Sequence, residues 1–347
     1  MITLKKKFSD SYNFLYNKKA IVRVDLNIPI TNGKIVDDTR IQKIIPTIKI
    51  LLEKKASIVL ITHLGRPNGN WDEKFSLKEI ASEVSLIIGE EIYFEKMNIN
   101  KIESEYLDNL FKDFKIVLLE NIRFYKEEEK NDKKFVKKIS SFGDVFINEC
   151  FSCCHRNHAS ISGIPTYLPS FPGKLLEDEI LNLKNLVLSS NIENNIAVLG
   201  GAKISTKLKI IDFYAKNYSQ VIIGGAMANT FLSALGNEIG NSLYEKKMVK
   251  TATDLLSIYG DKILLPKDVV VTSKKDENLM LIKNIDEVEK DHVIMDIGPQ
   301  TRMSFYNEII KAENLLWNGP LGYFEKTPFD AGTNYVLKGV KNNKYKN

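Results

Sequence analysis

Short, nearly all-apolar runs of three to five residues recur along this chain, and stretches with helical periodicity separate many of them. The runs are Ile21–Val24, Ile58–Ile61, Ile116–Leu119 and Val145–Ile147 in the first half. In the second half they are Ile196–Leu199, Val221–Ile223, Ile263–Leu265 with Val269–Val271, Val293–Ile297 and Leu315–Trp317. A strand that is apolar on both faces must be covered on both faces, which is the condition of a parallel sheet between helices. Helical periodicity over Thr39–Lys55, Ser76–Ile88, Lys203–Ala215 and Lys246–Tyr259 supplies that cover. The expected fold class is therefore α/β, with two doubly wound parallel-sheet lobes. The amphipathic segment Gly173–Leu188 follows the proline-rich IPTYLPSFPG and is expected to be a connecting hinge helix with a cleft between the lobes. The expected boundaries are 1–172 for the first lobe, 173–189 for the helix and 190–347 for the second. A helix packed inside one larger domain is the alternative.

Composition narrows the function. The net charge of +5 is modest and spread over lysines, unlike the concentrated stripe of a nucleic-acid binder, and no nucleic acid is expected as partner. The start, MITLKKKFSDSYNF, has no apolar signal core, and no run reaches the roughly 18 apolar residues of a membrane span. No membrane partner and a cytoplasmic location are expected. Of 49 basic residues only six are arginine, namely Arg23, Arg40, Arg66, Arg123, Arg156 and Arg302. A chain that uses lysine for general charge should keep arginine where its planar fork matters, and that fork fits phosphate and carboxylate. Arg40, Arg66, Arg123 and Arg156 stand in or just past polar stretches that follow apolar runs, which points to a small, heavily anionic ligand rather than to ordinary surface charge. Cys150, Cys153 and Cys154 stand beside His155 and His158 in ECFSCCHRNH. A zinc site usually draws ligand pairs from separate segments, and a redox Cys-x-x-Cys is the other special reading. Neighbouring buried or partly buried thiols are the simplest, with no metal site. The run KEEEKNDKK, 126–134, is expected to be a solvated face or loop.

In open parallel sheets ligands bind outside the carboxyl ends of the strands. The first-half strands end in Asp25-Leu26-Asn27, His63-Leu64-Gly65-Arg66, Glu120-Asn121-Ile122-Arg123 and Asn148-Glu149, the last leading to His155-Arg156. The second-half strands end in Gly200-Gly201-Ala202-Lys203, Gly224-Gly225, Gly298-Pro299 and Asn318-Gly319-Pro320. Glycine pairs let backbone approach a ligand, and helix starts favour phosphate. Lys203 and Lys207, placed one helical turn apart, should face the same way. That suits a nucleotide, although neither a P-loop nor a Gly-x-Gly-x-x-Gly fingerprint is present.

The segments VRVDLNIPITNGKIVDDTRI, THLGRP, LLENIRFYKEEEKND, CHRNHAS, LGGAKISTKL, IGGAMANTFL, LLPKDVVV, DIGPQT and WNGPLGYFE closely resemble those of phosphoglycerate kinases, from about residue 20 to 333. The resemblance implies two Rossmann-like lobes, normally in a monomer, and reversible phosphoryl transfer between 1,3-bisphosphoglycerate and ADP, giving 3-phosphoglycerate and ATP with Mg²⁺. It assigns Asp25, Asn27, Arg40, His63, Arg66, Arg123 and Arg156 to the acid substrate. It assigns Lys203, Lys207 and Glu325 to the nucleotide, with Gly200, Gly201, Gly225, Asn318 and Pro320 shaping the pocket. Arg40 and Lys203 resemble the catalytic cations that stabilise the phosphoryl group in flight. Two departures stand out. Glu149-Cys150-Phe151-Ser152-Cys153-Cys154 replaces the usual DAFGTA before the His-Arg pair. The chain ends GVKNNKYKN where the family continues through GGGD and GGGA loops. On that basis the chain as given is expected to bind 3-phosphoglycerate better than nucleotide and to turn over weakly or not at all, its second lobe being the less stable. The alternatives to an active kinase are a pseudoenzyme that binds phosphoglycerate only and a fragment of a longer product.

Overall fold

The structure, a computed structural model, describes residues 6–31, 33–188, 194–273 and 276–343. The first five residues, residue 189 of the expected connecting helix and the last four residues of the tail lie outside that description. The chain divides into two compact units, Met1–Asn185 and Leu186–Asn347.

Unit 1 is built on strands β1 (Lys19–Arg23), β2 and β3 (Ile30–Thr31, Lys34–Ile35), β4 (Ser57–Ile61), β5 (Ile92–Glu95), β6 (Ile116–Leu119), β7 (Val145–Asn148) and β8 (Ser170–Pro172). Its helices are α1 (Tyr12–Leu15), α2 (Thr39–Glu53), α3 (Lys78–Ile88), α4 (Ser104–Asp113), α5 (Lys126–Glu129) and α6 (Lys133–Ser140), and α7 (Lys174–Leu188) starts in this unit and ends past Asn185. Six strands form one parallel sheet in the order β5-β6-β4-β1-β7-β8, and β2 and β3 form a separate hairpin. Side chains of a strand point alternately to the two faces, and here both faces are core. Ala20, Val22, Ile58, Leu60, Ile116, Leu118, Val145 and Ile147 pack with Ile41, Ile44 and Ile48 of α2 and Ile80 and Val84 of α3. Ile21, Val59, Ile61, Val117, Leu119 and Phe146 pack on the other side with Leu107 and Phe111 of α4 and Phe135 and Ile139 of α6. Each fully buried aliphatic contributes about 1.5–3 kcal/mol, so the central strands are the most constrained part of the unit. The chain leaves β1 to lay β4 on one side and later returns to lay β7 on the other. That reversal is a topological switch point, where a crevice opens at the strand ends.

Unit 2 carries strands β9 (Asn195–Leu199), β10 (Gln220–Ile223), β11 (Ile263–Leu264), β12 (Asp268–Ser273), β13 (Asp276–Asn284), β14 (His292–Ile297) and β15 (Asn314–Asn318). Its helices are α8 (Leu208–Asn217), α9 (Ala226–Ala234), α10 (Val249–Tyr259), α11 (Pro299–Ile309) and α12 (Ala331–Asn342). A parallel sheet runs β11-β10-β9-β15. Ala197 and Leu199 face one core, Ile196 and Val198 the other. The fold class is thus α/β with a parallel sheet in each unit.

Three expectations need correction. Val269–Val271 and Val293–Ile297 do not continue the parallel series. They lie in β12 and β14, which pair antiparallel in a three-stranded sheet ordered β13-β12-β14 over a core of its own. An apolar run records burial on two faces but not the direction of its neighbour. The expected helix from Lys203 starts only at Leu208. Thr206 Oγ1 bonds the Lys203 carbonyl at 3.1 Å, and Glu245 takes both the Ser205 N–H and hydroxyl, at 3.0 and 2.5 Å. Such side-chain to backbone bonds offer residues 203–207 an alternative to the helix. The charged run at 126–134 is not simply a solvated face, because α5 turns Glu128 fully inward.

Candidate functional site

In unit 1 four adjacent strands, β6, β4, β1 and β7, deliver polar groups to one end of the sheet. Past the end of β1, Asp25 Oδ2 takes Arg40 Nη1 at 2.5 Å and the Ser152 hydroxyl at 2.6 Å. Arg40 reaches it from the first turn of α2, and its side chain stays 48% exposed. Asn27 Oδ1 accepts the Gly65 N–H at 2.8 Å, and Gly65 in turn offers its carbonyl to Arg123 Nη1 at 3.0 Å. Gly65 holds φ +63 with the Phe75 ring where a Cβ would stand, so only glycine serves there.

His63 follows β4 and is buried. Its Nδ1 lies 3.0 Å from Arg23 Nη2. An arginine only donates, so Nδ1 accepts and the neutral ring carries its proton on Nε2. Burial first, then the charges of Arg23, Arg123, Arg156 and Arg40, push its pKa down to about 2. Arg23 touches the imidazole, and the charges of the other three arginines reach it. Arg123 is itself buried, its pKa lowered chiefly by burial, and its Nε is a buried donor without a hydrogen-bond partner, with Glu129 at 3.8 Å. Arg156 is half-buried and Arg66 exposed. The structure therefore gathers Asp25, Asn27, Arg40, His63, Arg123 and Arg156, while Arg66 is tied to them only through its neighbour Gly65.

Sequence reasoning missed two supports of this cluster. Arg23 is the largest fully buried side chain. It binds Ser160 Oγ at 2.9 Å and the Val24 carbonyl, besides His63. Ser160 passes the contact on to Glu128, bonding Oε1 at 2.6 Å and Oε2 at 2.9 Å. Burial raises Glu128, and Arg23 is the first of the groups that oppose it. The signal was present as the one charge inside the apolar run IVRV. Glu149, after β7, accepts from Leu176 N at 3.0 Å at the start of α7 and from the Thr47 hydroxyl, and burial lifts it to about 7.

His63 gives a pH test. Its folded pKa lies below the unfolded value of 6.5, so the unfolded chain binds the extra proton and stability is lost as pH falls below 6.5. Between pH 7 and pH 5 that loss is about 2 kcal/mol. Glu149, raised in the fold, works in the opposite direction over the same range. The comparison is therefore with His63→Gln: the parent should lose about 2 kcal/mol more than the variant between pH 7 and pH 5 in denaturant titrations.

In unit 2 the strand ends are glycine loops packed backbone to backbone. Gly201 N donates to the Pro320 carbonyl at 3.0 Å, Gly225 N to Leu321 O at 2.9 Å and Gly200 N to Asn318 O at 2.9 Å. Lys207 Nζ ties the loops, bonding Gly200 O at 2.6 Å and Asn318 Oδ1 at 2.7 Å. Beside them opens a cavity of about 540 Å³. Gly201, Gly225, Pro320 and Glu325 line it with Leu243, Val269, Met295 and Leu321, so one wall is bare backbone and most of the rest apolar. Gly200, Lys207 and Asn318 form the framework behind. Lys203 is exposed in the turn before α8, and its ammonium is not aligned with Lys207 by a helix. Asp296, unforeseen from sequence, also lines the cavity. It binds Arg302 Nη2 at 2.9 Å and Gly332 N at 2.6 Å, and burial raises it to about 6.

A Cβ on Gly200 would stand 1.9 Å from the Pro320 carbonyl oxygen. Backbone cannot yield as a side-chain tip does, so Gly200→Ala should cost about 1–3 kcal/mol of stability and shift the loop. Nucleotide affinity is expected to fall at least about tenfold, since a displacement near 1 Å can cost about a hundredfold in rate. Affinity for 3-phosphoglycerate should not change. Calorimetric titration of each ligand checks both.

Arginines gathered at one parallel-sheet switch point and a glycine-walled cavity beside a second parallel sheet fit a nucleotide-dependent phosphotransferase of the α/β class. Comparison with known proteins narrows the class. The sequence profile of phosphoglycerate kinase matches residues 10–347. The phosphoglycerate kinase of Dictyoglomus turgidum is 40% identical over 336 residues, covering 95% of this chain and 84% of that one. That of Borrelia garinii subsp. bavariensis is 41% identical with the same coverage. The structure of phosphoglycerate kinase from Coxiella burnetii matches with a TM-score of 0.79 and 31% identity, over 97% of this chain and 85% of that one. The one from Pyrococcus horikoshii gives 0.81 and 29%, over 97% and 86%. The chain belongs to the phosphoglycerate kinase family and is a kinase. Among the described residues no helix is long and apolar enough to cross a membrane.

Proposed function

We propose that unit 1 holds 3-phosphoglycerate or 1,3-bisphosphoglycerate on Asp25, Asn27, Arg40, His63, Arg66, Arg123 and Arg156, and that unit 2 holds ADP or ATP. The observation that carries this reading is the set of four arginine charges pressing on one neutral histidine. Asp25 offsets Arg40 and buried Glu128 offsets Arg23, which leaves Arg156, and Arg123 with Glu129 only at 3.8 Å, as the charge for an anion to neutralise. Arg123 and Arg156 supply charge, and Arg123 keeps a buried Nε–H to offer. His63 presents Nε2–H as a neutral donor. Asp25 orients Arg40, whose exposed fork is the part left to meet the ligand.

On the nucleotide side Gly201, Gly225 and Pro320 let a base or sugar lie close to backbone, and Lys207 and Asn318 brace Gly200. Arg40 and Lys203 are the cations that neutralise the phosphoryl group in transit. Phosphoryl transfer asks little covalent chemistry of a protein: it must align donor and acceptor oxygens and offset the equatorial charge. A carboxylate and a diphosphate exchange the group directly, so no general base is required. Water must be excluded because it would hydrolyse an acyl phosphate, and closure about the connecting helix α7 would do this. Mg²⁺ enters with the nucleotide. Asp296 is already committed to Arg302 and Gly332 N, which leaves Glu325 as the exposed carboxylate lining the cavity.

A chain that binds phosphoglycerate alone gains no support, since the nucleotide loops are as fully bonded as the arginine cluster. The family match over residues 10–347 and the bonding of Gly200, Lys207 and Asn318 favour an active kinase over the weak turnover expected from Lys203 and Lys207 acting as point charges alone. A monomer acting in the cytoplasm, without nucleic-acid or membrane partners, completes the reading; light scattering and cell fractionation test these points. Calorimetry with 3-phosphoglycerate and with MgADP tests the two sites separately. A protein that binds neither would overturn the assignment.

A further inference from the structure

The reaction leaves one sequence feature unused, the Cys150-x-x-Cys153 pair. The two cysteines bound a tight turn in which Cys153 N donates to the Cys150 carbonyl at 3.1 Å. A turn closed between residues three apart holds its Cα atoms within about 7 Å, and a disulfide spans about 4.4–6.8 Å. Both thiols are free and nearly buried. They converge on the second of the two residues between them: Ser152 Oγ lies 3.5 Å from Cys150 Sγ and 3.8 Å from Cys153 Sγ. That same hydroxyl bonds Asp25 Oδ2, the oxygen that also holds Arg40. The thiol pair is thus one hydrogen bond from the acid site. The third cysteine, Cys154, is exposed and bonds the Cys150 carbonyl at 3.4 Å.

We propose that Cys150 and Cys153 form a redox dithiol whose closure to a disulfide weakens the acid site through Ser152 and Asp25. The effect on substrate rests on the acid-site assignment above; the bond itself does not.

Chemically the pair is suited to the step. A hydrogen bond from Cys150, with help from Arg23 and Ser152, lowers Cys153 towards the thiolate against burial and Asp25, while Cys150 is raised. The thiolate is the nucleophile. The oxidant is a peroxide, small enough to reach a nearly buried sulfur. Cys153 attacks hydrogen peroxide, forming an S–O bond as the O–O bond breaks, and the released hydroxide leaves as water after taking a proton. Cys150 then attacks the sulfenic sulfur. The S–S bond forms, the S–O bond breaks, and the second oxygen departs as water with the Cys150 proton. Two electrons pass from the sulfurs to the peroxide. Drawing the sulfurs to about 2.05 Å reshapes the turn that carries Ser152, and its hydroxyl loses its place on Asp25.

The test uses the full chain treated with hydrogen peroxide, with peptide mapping and the KM for 3-phosphoglycerate measured before and after. The expected result is a Cys150–Cys153 bond, a KM raised about tenfold, as for one lost hydrogen bond to a charged group, and full reversal by dithiothreitol. Cys150→Ala should keep the reduced enzyme's KM and lose the response. Oxidation confined to Cys154, a mapped disulfide with unchanged KM, or an equal response in Cys150→Ala would overturn the proposal. If the reduced protein fails to bind 3-phosphoglycerate by calorimetry, the acid-site assignment and the coupling both fall, whatever the map shows.

Discussion

Arg40→Lys is expected to lower kcat for phosphoryl transfer about 30- to 1,000-fold, equivalent to 2–4 kcal/mol of transition-state stabilisation. The charge survives this change but the fork does not. In the structure one Nη of Arg40 is spent on Asp25, and the exposed remainder is free to meet a second anion. Lysine cannot hold a carboxylate and a phosphoryl oxygen in one fixed plane. Because the side chain is half exposed, folding should barely change, and the denaturant midpoint should stay within about 0.5 kcal/mol of the parent. A variant retaining a third or more of the parental kcat would remove Arg40 from the chemistry.

The second large effect lies in stability. Arg23→Met should destabilise unit 1 by about 3 kcal/mol, because it takes from buried Glu128 the first of the charges that oppose its burial and leaves only Arg123. Ser160 loses one partner and His63 loses the donor that fixes its tautomer. Arg156→Met, a change at a half-buried site with no side-chain hydrogen bond among the described residues, should cost within about 1 kcal/mol. Adding Glu128→Gln to Arg23→Met should restore part of the loss, since both charges of the network are then gone. Denaturant unfolding of the four proteins decides it. A loss below 1 kcal/mol for Arg23→Met would show that the network is solvated rather than buried.

Much of this was legible before the structure. The central strands of unit 1 announced themselves because burial on both faces leaves no room for polar alternation. The edge strands β5 and β8 did not, since IYFE is only partly buried and SFP is three residues long. In unit 2 Met280 and Ile282 of β13 look like core and are exposed, while Leu281 between them packs inward. Scarcity picked out arginine, and the strand ends pointed to Arg123 and Arg156 on the same rim as His63, with Arg40 added from the start of a helix. Burial hid the rest. Arg23 looked like an interruption of a strand, and Glu128 sat unremarked in a run of charge. Ser152 was visible only as a departure from a pattern. Its bond to Asp25 joins residues 127 apart in sequence, which no local spacing reports.

The central claim is that this chain passes a phosphoryl group between a nucleotide and a phosphoglycerate. The direct measurement is ADP formation by the purified protein from ATP, Mg²⁺ and 3-phosphoglycerate in a coupled assay, with each substrate omitted in turn. The account predicts turnover of about 1–100 per second, the ordinary range for kinases, and none when 3-phosphoglycerate is left out. Calorimetric binding of 3-phosphoglycerate with no ADP formed would contradict it.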